Sequence, residues 1–281
     1  MDFKEERMKR YAVFLSLVLL VTLVSFGGDF SFKLSGGGAY LMGGDFNKAQ
    51  TGLRDYVNSI RQSTDAFTDN LKKLSWGGQF EAEFLYEFKP GFSVGLSAGY
   101  LAASVTTGFT RNAYELMLNP SLSVVPVLAN LHWIKPLAAK LNLHVTAGAG
   151  AFITKLNYDY RETFSASSQY SGTYKAKGST VFGAQAGAGL ELALTKNVFL
   201  TLDVKGRYAQ IGKITGDWSG TYYGSPRSGK DAELYVYDYD GKYTLIGIWE
   251  TKPSGSHVQN AREASISMSG IIGLLGLRIG L

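Results

Sequence analysis

The sequence has no cysteine, which excludes disulfide staples, thiolate-ligated metals and a lipid-modified cysteine. It also lacks any uninterrupted apolar run of about 18 residues, so a helical membrane protein is not expected, leaving only the N-terminus as an exception to weigh. Charge of one sign is nowhere concentrated. Lys and Arg are scattered among Asp and Glu, and the formal charge of +5 reads as a mildly basic surface, with no nucleic-acid footprint. What is present is 34 glycines, 13% aromatic residues and 45% hydrophobic residues, enough apolar surface to bury or to offer to lipid. A length of 281 residues permits one large domain or two small ones.

The first residues read as an address. Lys4, Arg7, Lys9 and Arg10 precede the apolar, uncharged stretch YAVFLSLVLLVTLVSF, and the small residues Ser25 and Gly27 stand at the spacing a signal peptidase uses. Residues 1–27 are therefore expected to be a secretory signal peptide, with 28–281 forming the mature domain. An uncleaved inner-membrane anchor is the alternative.

From Phe30 onward the pattern is period two, the signature of strands. Eight segments are expected, at 30–42, 79–88, 92–103, 121–134, 141–158, 180–194, 198–211 and 264–281. Short connections (89–91, 135–140, 195–197) alternate strictly with long ones (43–78, 104–120, 159–179, 212–263). That alternation predicts an all-β fold: an eight-stranded antiparallel up-and-down transmembrane β-barrel with short periplasmic turns and long outer loops. Leu53, Val57, Ile60, Phe67, Leu71 and Leu74 fall at helical spacing in the first long loop, so a helix or two is expected there. Asp240-Gly241, between 234–239 and 243–249, predicts a hairpin standing above the barrel.

Each strand has one greasy face, for example Phe80, Ala82, Phe84, Tyr86 and Phe88 in the second and Val198, Leu200, Leu202 and Val204 in the seventh. The opposite faces carry charge and glycine. Periodicity does not say which face points inward, and a soluble lipocalin-like barrel would put the apolar face around a ligand. Export, aromatics clustered at the strand ends and small residues on the polar face favour apolar-out, the arrangement lipid demands of a closed barrel. The expected lumen network comprises Lys33, Glu81, Glu83, Glu87, Asn130, His132, His144, Gln185, Glu191, Asp203, Lys205, Arg207 and Arg278.

The segments FSFKLSGGGAYLMGGDF (30–46), TAGAGAFI (146–153), GAQAGAGLELAL (183–194) and GLLGLRIGL (273–281) resemble the eight-stranded outer-membrane barrel family that includes the OmpA transmembrane domain and OmpW-like proteins. The resemblance covers nearly the whole mature chain. It implies location in the bacterial outer membrane, outer-membrane lipid and the barrel-assembly machinery as partners, and surface ligands meeting the outer loops. Members usually close on Phe or Trp, whereas this chain closes on Leu281, and no peptidoglycan-binding domain is expected after it.

Motifs with enzymatic echoes are weak. Gly224–Lys230 has the spacing of a phosphate-binding loop, but Asp231 replaces the magnesium-binding hydroxyl and Pro226 removes an N–H. Gly95-Leu-Ser97-Ala-Gly99 resembles a nucleophile elbow but lies within a strand. His132 and His144 flank one short turn on the polar face. With a carboxylate they could form a general base or a metal site, but a paired polar plug filling a narrow interior is the plainer expectation. No cofactor and no catalysis are expected. The expected role is a structural or surface-interaction barrel, or a narrow channel for small apolar molecules. A lipid-modifying enzyme and a soluble binding barrel are the alternatives.

Overall fold

The computed structural model describes residues 29–165 and 168–281, so the expected signal peptide lies outside the described residues. Eight long strands form the body: β1 (Asp29–Leu41), β3 (Trp76–Lys89), β4 (Phe92–Ser104), β6 (Tyr114–Ala138), β7 (Leu141–Ser165), β9 (Ser179–Ala193), β10 (Val198–Ile211) and β16 (Gly270–Gly280). Each is antiparallel to the next around the ring, and the pairings β6–β7 and β1–β16 close it. Closure satisfies the backbone groups that an open sheet would leave at its edges. The strands arise from the alternation in the sequence, and Gln79, Glu81 and Glu83 turn inward while Phe80 and Phe84 turn outward.

The three short connections are tight turns, at 90–91, 139–140 and 194–197. The long connections are not loops in the main. β6 and β7 continue past the barrel, and their ladder runs unbroken in direction from Ala138↔Leu141 up to Glu115↔Thr163. Onto this pair are zipped β5 (Thr107–Arg111) and β2 (Phe67–Asn70) on one side. On the other come β8 (Ser168–Ala176), β11 (Thr215–Tyr222), β12 (Ser225–Tyr239) and β13 (Tyr243–Trp249). Two short strands, β14 (Val258–Glu263) and β15 (Ile266–Ser267), return the chain to the barrel. The expected 234–249 hairpin is present, with Asp240 and Gly241 both at positive φ (52° and 65°), the twist a two-residue hairpin turn requires. It is part of this outer sheet and does not stand alone. The last barrel strand begins at Gly270, later than the expected 264, because Ala264 and Ile266 are packed into the lobe core.

The first long connection folds as α1 (Asp45–Ile60) followed by β2. Phe46, Ala49, Gln50, Leu53 and Val57 recur at three- and four-residue spacing and form its inward face. The expected helix is thus shorter than its apolar pattern, since Leu71 and Leu74 lie beyond it and pack from the loop. α1 bridges the two edges of the outer sheet. Towards β2 and β5, Arg54 binds Asp69 at 3.0 Å, and Val57 packs with Leu71 and Phe109. Towards β13, Gly52 lies so close to the Thr244 backbone that any side chain would strike it, and Tyr56 meets Tyr239 and Tyr243 edge-on. The result is a rolled lobe whose seam is closed by a helix.

Candidate functional site

Within the ring, inward residues fall into two tiers. The tier nearer the short turns is polar and paired. Lys33 meets Asp203 at 2.7 Å, Lys205 meets Glu81 at 2.6 Å and Arg278 meets Glu191 at 2.9 Å. Asn130 donates to Glu83 at 2.6 Å and to Ser97 at 3.0 Å, and Arg207 donates to the Gln79 side-chain oxygen at 2.7 Å while stacking over Phe152. Lys33, Lys205 and Arg278 persist as buried charges because each is paired with a carboxylate, whereas Arg207 meets no carboxylate among the described residues and its Nε and Nη1 bond nothing.

A chain of contacts crosses this tier: Glu83 to His132 at 2.8 Å, His132 to His144 at 2.5 Å, His144 to Asp203 at 3.1 Å, and Asp203 to Lys33. Two neutral imidazoles supply two N–H groups for the three contacts they make, so all three are satisfied only when the pair carries one additional proton. All four ring nitrogens are committed to protein partners, which leaves no free lone pair for a metal.

Glycine makes room for this tier. A side chain at Gly95 would lie 2.5 Å from the Glu83 carboxylate, and one at Gly189 would lie 2.5 Å from that of Asp203. Of the thirteen expected lumen residues, Gln185 is buried in the ring but, among the described residues, its amide has no hydrogen-bond partner. Glu87 sits apart: it accepts the Gly91 N–H at 2.9 Å and ties down the first short turn. Ser97 is buried within β4, and the 224–230 stretch is a hairpin turn at Gly224 running into β12, so neither has the strand–turn–helix setting its motif needs.

The second tier was not expected. Above the charges the inward positions turn apolar: Leu41, Leu101, Leu122, Val124, Phe152 and Ile211 are buried in one cluster, which Ile272 and Leu274, opposite Lys205 and Asp203, extend down beside the charges. Phe46 and Leu74 from the first connection are packed into the same cluster. Asn47 fixes that connection by donating to the Met42 and Leu74 carbonyls at 2.9 and 3.2 Å and accepting the Leu74 N–H at 2.8 Å. The lumen is thus filled along its length.

Outside, the picture inverts. Phe80 is 70% exposed and Phe182 85% exposed, and Leu96, Leu131, Leu202, Val204 and Leu275 share that surface. Rings gather at both ends of the belt, with Phe30, Phe84 and Tyr86 in contact near the short turns and Tyr40 against Trp76 at the other end. A greasy belt around a closed ring with a charged interior is what a bilayer selects. The fold is a membrane-spanning β-barrel.

No family model and no curated protein sequence matches the chain. Among solved structures it is similar to Neisserial surface protein A (10% identity, TM-score 0.35, covering 89% of this chain and 96% of that one). It is also similar to a major outer membrane protein from Thermus thermophilus (11%, TM-score 0.42, 90% and 99%) and to the outer membrane protein OprG from Pseudomonas aeruginosa (11%, TM-score 0.41, 90% and 97%). Likeness at this level carries no weight beside the ring of eight strands itself.

In the lobe, Asp45 at the start of α1 is the best-held carboxylate. It accepts two bonds from Arg262 at 2.7 Å each, and the Ser265 N–H and hydroxyl at 2.9 Å each. Burial alone would raise its pKa, but these donors outweigh it and hold the group at about 2. Between α1 and the rolled sheet lies a cavity of about 470 Å³, walled by side chains of α1, β6, β7, β11, β12 and β13.

Proposed function

We propose that the protein is a bacterial outer-membrane barrel acting as a closed, non-enzymatic anchor that holds a folded lobe at the cell surface. One observation carries the reading: the lumen is filled, with paired charges in one tier and close-packed side chains in the next. An eight-stranded interior has room for side chains and little else. This supports the surface-interaction role over the narrow-channel role. Short turns lie on the periplasmic side of such barrels and long connections outside, which puts the lobe in the external medium.

The test has two arms. In planar bilayers the purified protein should show no steady open conductance, and a large ohmic channel would overturn the closed reading. Because the chain has no cysteine, Ser254→Cys in the exposed part of the lobe gives a single label site. A membrane-impermeant maleimide should label it on intact cells, whereas labelling only after lysis would place the lobe on the wrong side.

A further inference from the structure

The lobe cavity has a specific chemistry. Its walls are mostly apolar, with Leu53, Leu116, Leu118, Trp218, Leu234 and Ile246 among them. A volume of about 470 Å³ is in the range of sites for small organic molecules. Several polar groups interrupt the apolar lining, and two of them, Tyr158 and Gln50, are the most buried. Tyr158 is only 9% exposed; its ring meets Phe46 edge-on at 6.2 Å, and its hydroxyl has no hydrogen-bond partner among the described residues. Burial pushes that hydroxyl's pKa up, so it stays a proton donor at neutral pH.

The second group is Gln50, also buried. Thr107 Oγ1 accepts the Lys72 N–H at 2.7 Å, so its own proton is free to go to Gln50 Oε1 at 3.1 Å. This fixes the orientation of the amide and leaves its NH₂ as the uncommitted end. The one carboxylate of the lining, Glu162, is bound by the Tyr114 hydroxyl at 2.6 Å. Its charge disfavours an anionic occupant.

We propose that this cavity is a binding site for a small, uncharged, mainly apolar molecule bearing a hydrogen-bond acceptor such as a carbonyl, received by Tyr158 and Gln50. Both donors face the cavity without a protein partner, so an acceptor placed there gains their hydrogen bonds, while the hydrocarbon walls take the rest of the molecule. The inference rests on reading the lobe as the working end of the molecule.

The experiment uses the full barrel in lipid nanodiscs, titrated calorimetrically with 2-acetylnaphthalene and with 2-ethylnaphthalene, which lacks the acceptor. Empty nanodiscs supply the partitioning blank. The protein should bind the ketone about threefold to tenfold more tightly than the hydrocarbon, the range one net hydrogen bond gives. Tyr158→Phe should shrink that preference while leaving hydrocarbon binding intact. Ile248→Trp, or Leu245→Trp should the first fail to fold, fills the cavity and should abolish both. Heats equal to empty nanodiscs, binding indifferent to the filling variants, or an undiminished ketone preference in Tyr158→Phe would each overturn the proposal. A protein that binds but conducts sinks the closed-barrel reading alone, and one that stays closed and binds neither probe sinks this site alone.

Discussion

The filled lumen makes a sharp prediction at Lys205 and Glu81. Their side chains are 1% and 3% exposed and meet at 2.6 Å, and Glu81 has one further contact, a long one of 3.4 Å from Gln79. Lys205→Met keeps the length of the stem, which runs against Gly187, but leaves the carboxylate buried without its counter-charge. Breaking one side of a buried pair costs about 3–5 kcal/mol. With urea dependence of about 1–3 kcal/mol per molar, the unfolding midpoint should fall by ~2 M. The double change, Lys205→Met with Glu81→Leu, removes both charges and should return to within ~1 kcal/mol of the parent, or exceed it. Unfolding from phosphatidylcholine vesicles, followed by tryptophan fluorescence, gives all four corners of the cycle. If Lys205→Met unfolds at the parent's urea concentration, the pair is solvated and screened, and the lumen is a water-filled passage.

The same packing and the hold on α1 give further outcomes. A methyl at Gly148 would land on the Asn130 amide oxygen and 2.8 Å from the Ala129 carbonyl, so Gly148→Ala should destabilise by about 1–3 kcal/mol in the same urea assay. Gly38→Ala, with nothing within 4 Å of the added carbon, should be near neutral, and equal effects at the two sites would contradict the filled interior. Asp45→Asn should loosen α1. The drop of that carboxyl from its ordinary 3.8 to about 2 corresponds to about 2 kcal/mol, present above pH 4 and lost as pH falls through 2. Hydrogen exchange of the helix should therefore separate parent and variant at pH 7 and bring them together near pH 2.

The parity of the strands was open to reading from the sequence because period-two patterns are rigid: a slip of one residue would exchange every side chain between lipid and lumen. Val198–Ile211 is predicted and found with the same bounds, since Asp203, Lys205 and Arg207 on one face and Leu202 and Val204 on the other admit one register. The tight turns were equally legible. Tiering inside the lumen was not, because the apolar residues further along the same face carry no charge that would separate them from the lipid-facing ones. On β10 the inward run Thr201, Asp203, Lys205, Arg207 continues as Ala209 and Ile211. Their parity alone marks them as inward. The lobe was hidden for another reason. Apart from β12 its strands are short, and they are ordered by non-local pairing: β5 joins β6, β8 joins β7, and β11, β12 and β13 follow in turn, a cause that no local window contains.

That continuity also sets what the cavity is. On β6 the even residues face inward at His132, Asn130, Val124 and Leu122, and the same parity continues through Leu118 and Leu116 to Tyr114 in the cavity wall. On β7 the even series runs from His144 and Thr146 through Phe152 and Leu156 to Tyr158, Tyr160 and Glu162. Because the β6–β7 ladder does not change direction between barrel and lobe, the cavity is the axial extension of the lumen, stopped below by the apolar tier. Whatever enters it meets a floor of packed side chains before it meets the charges.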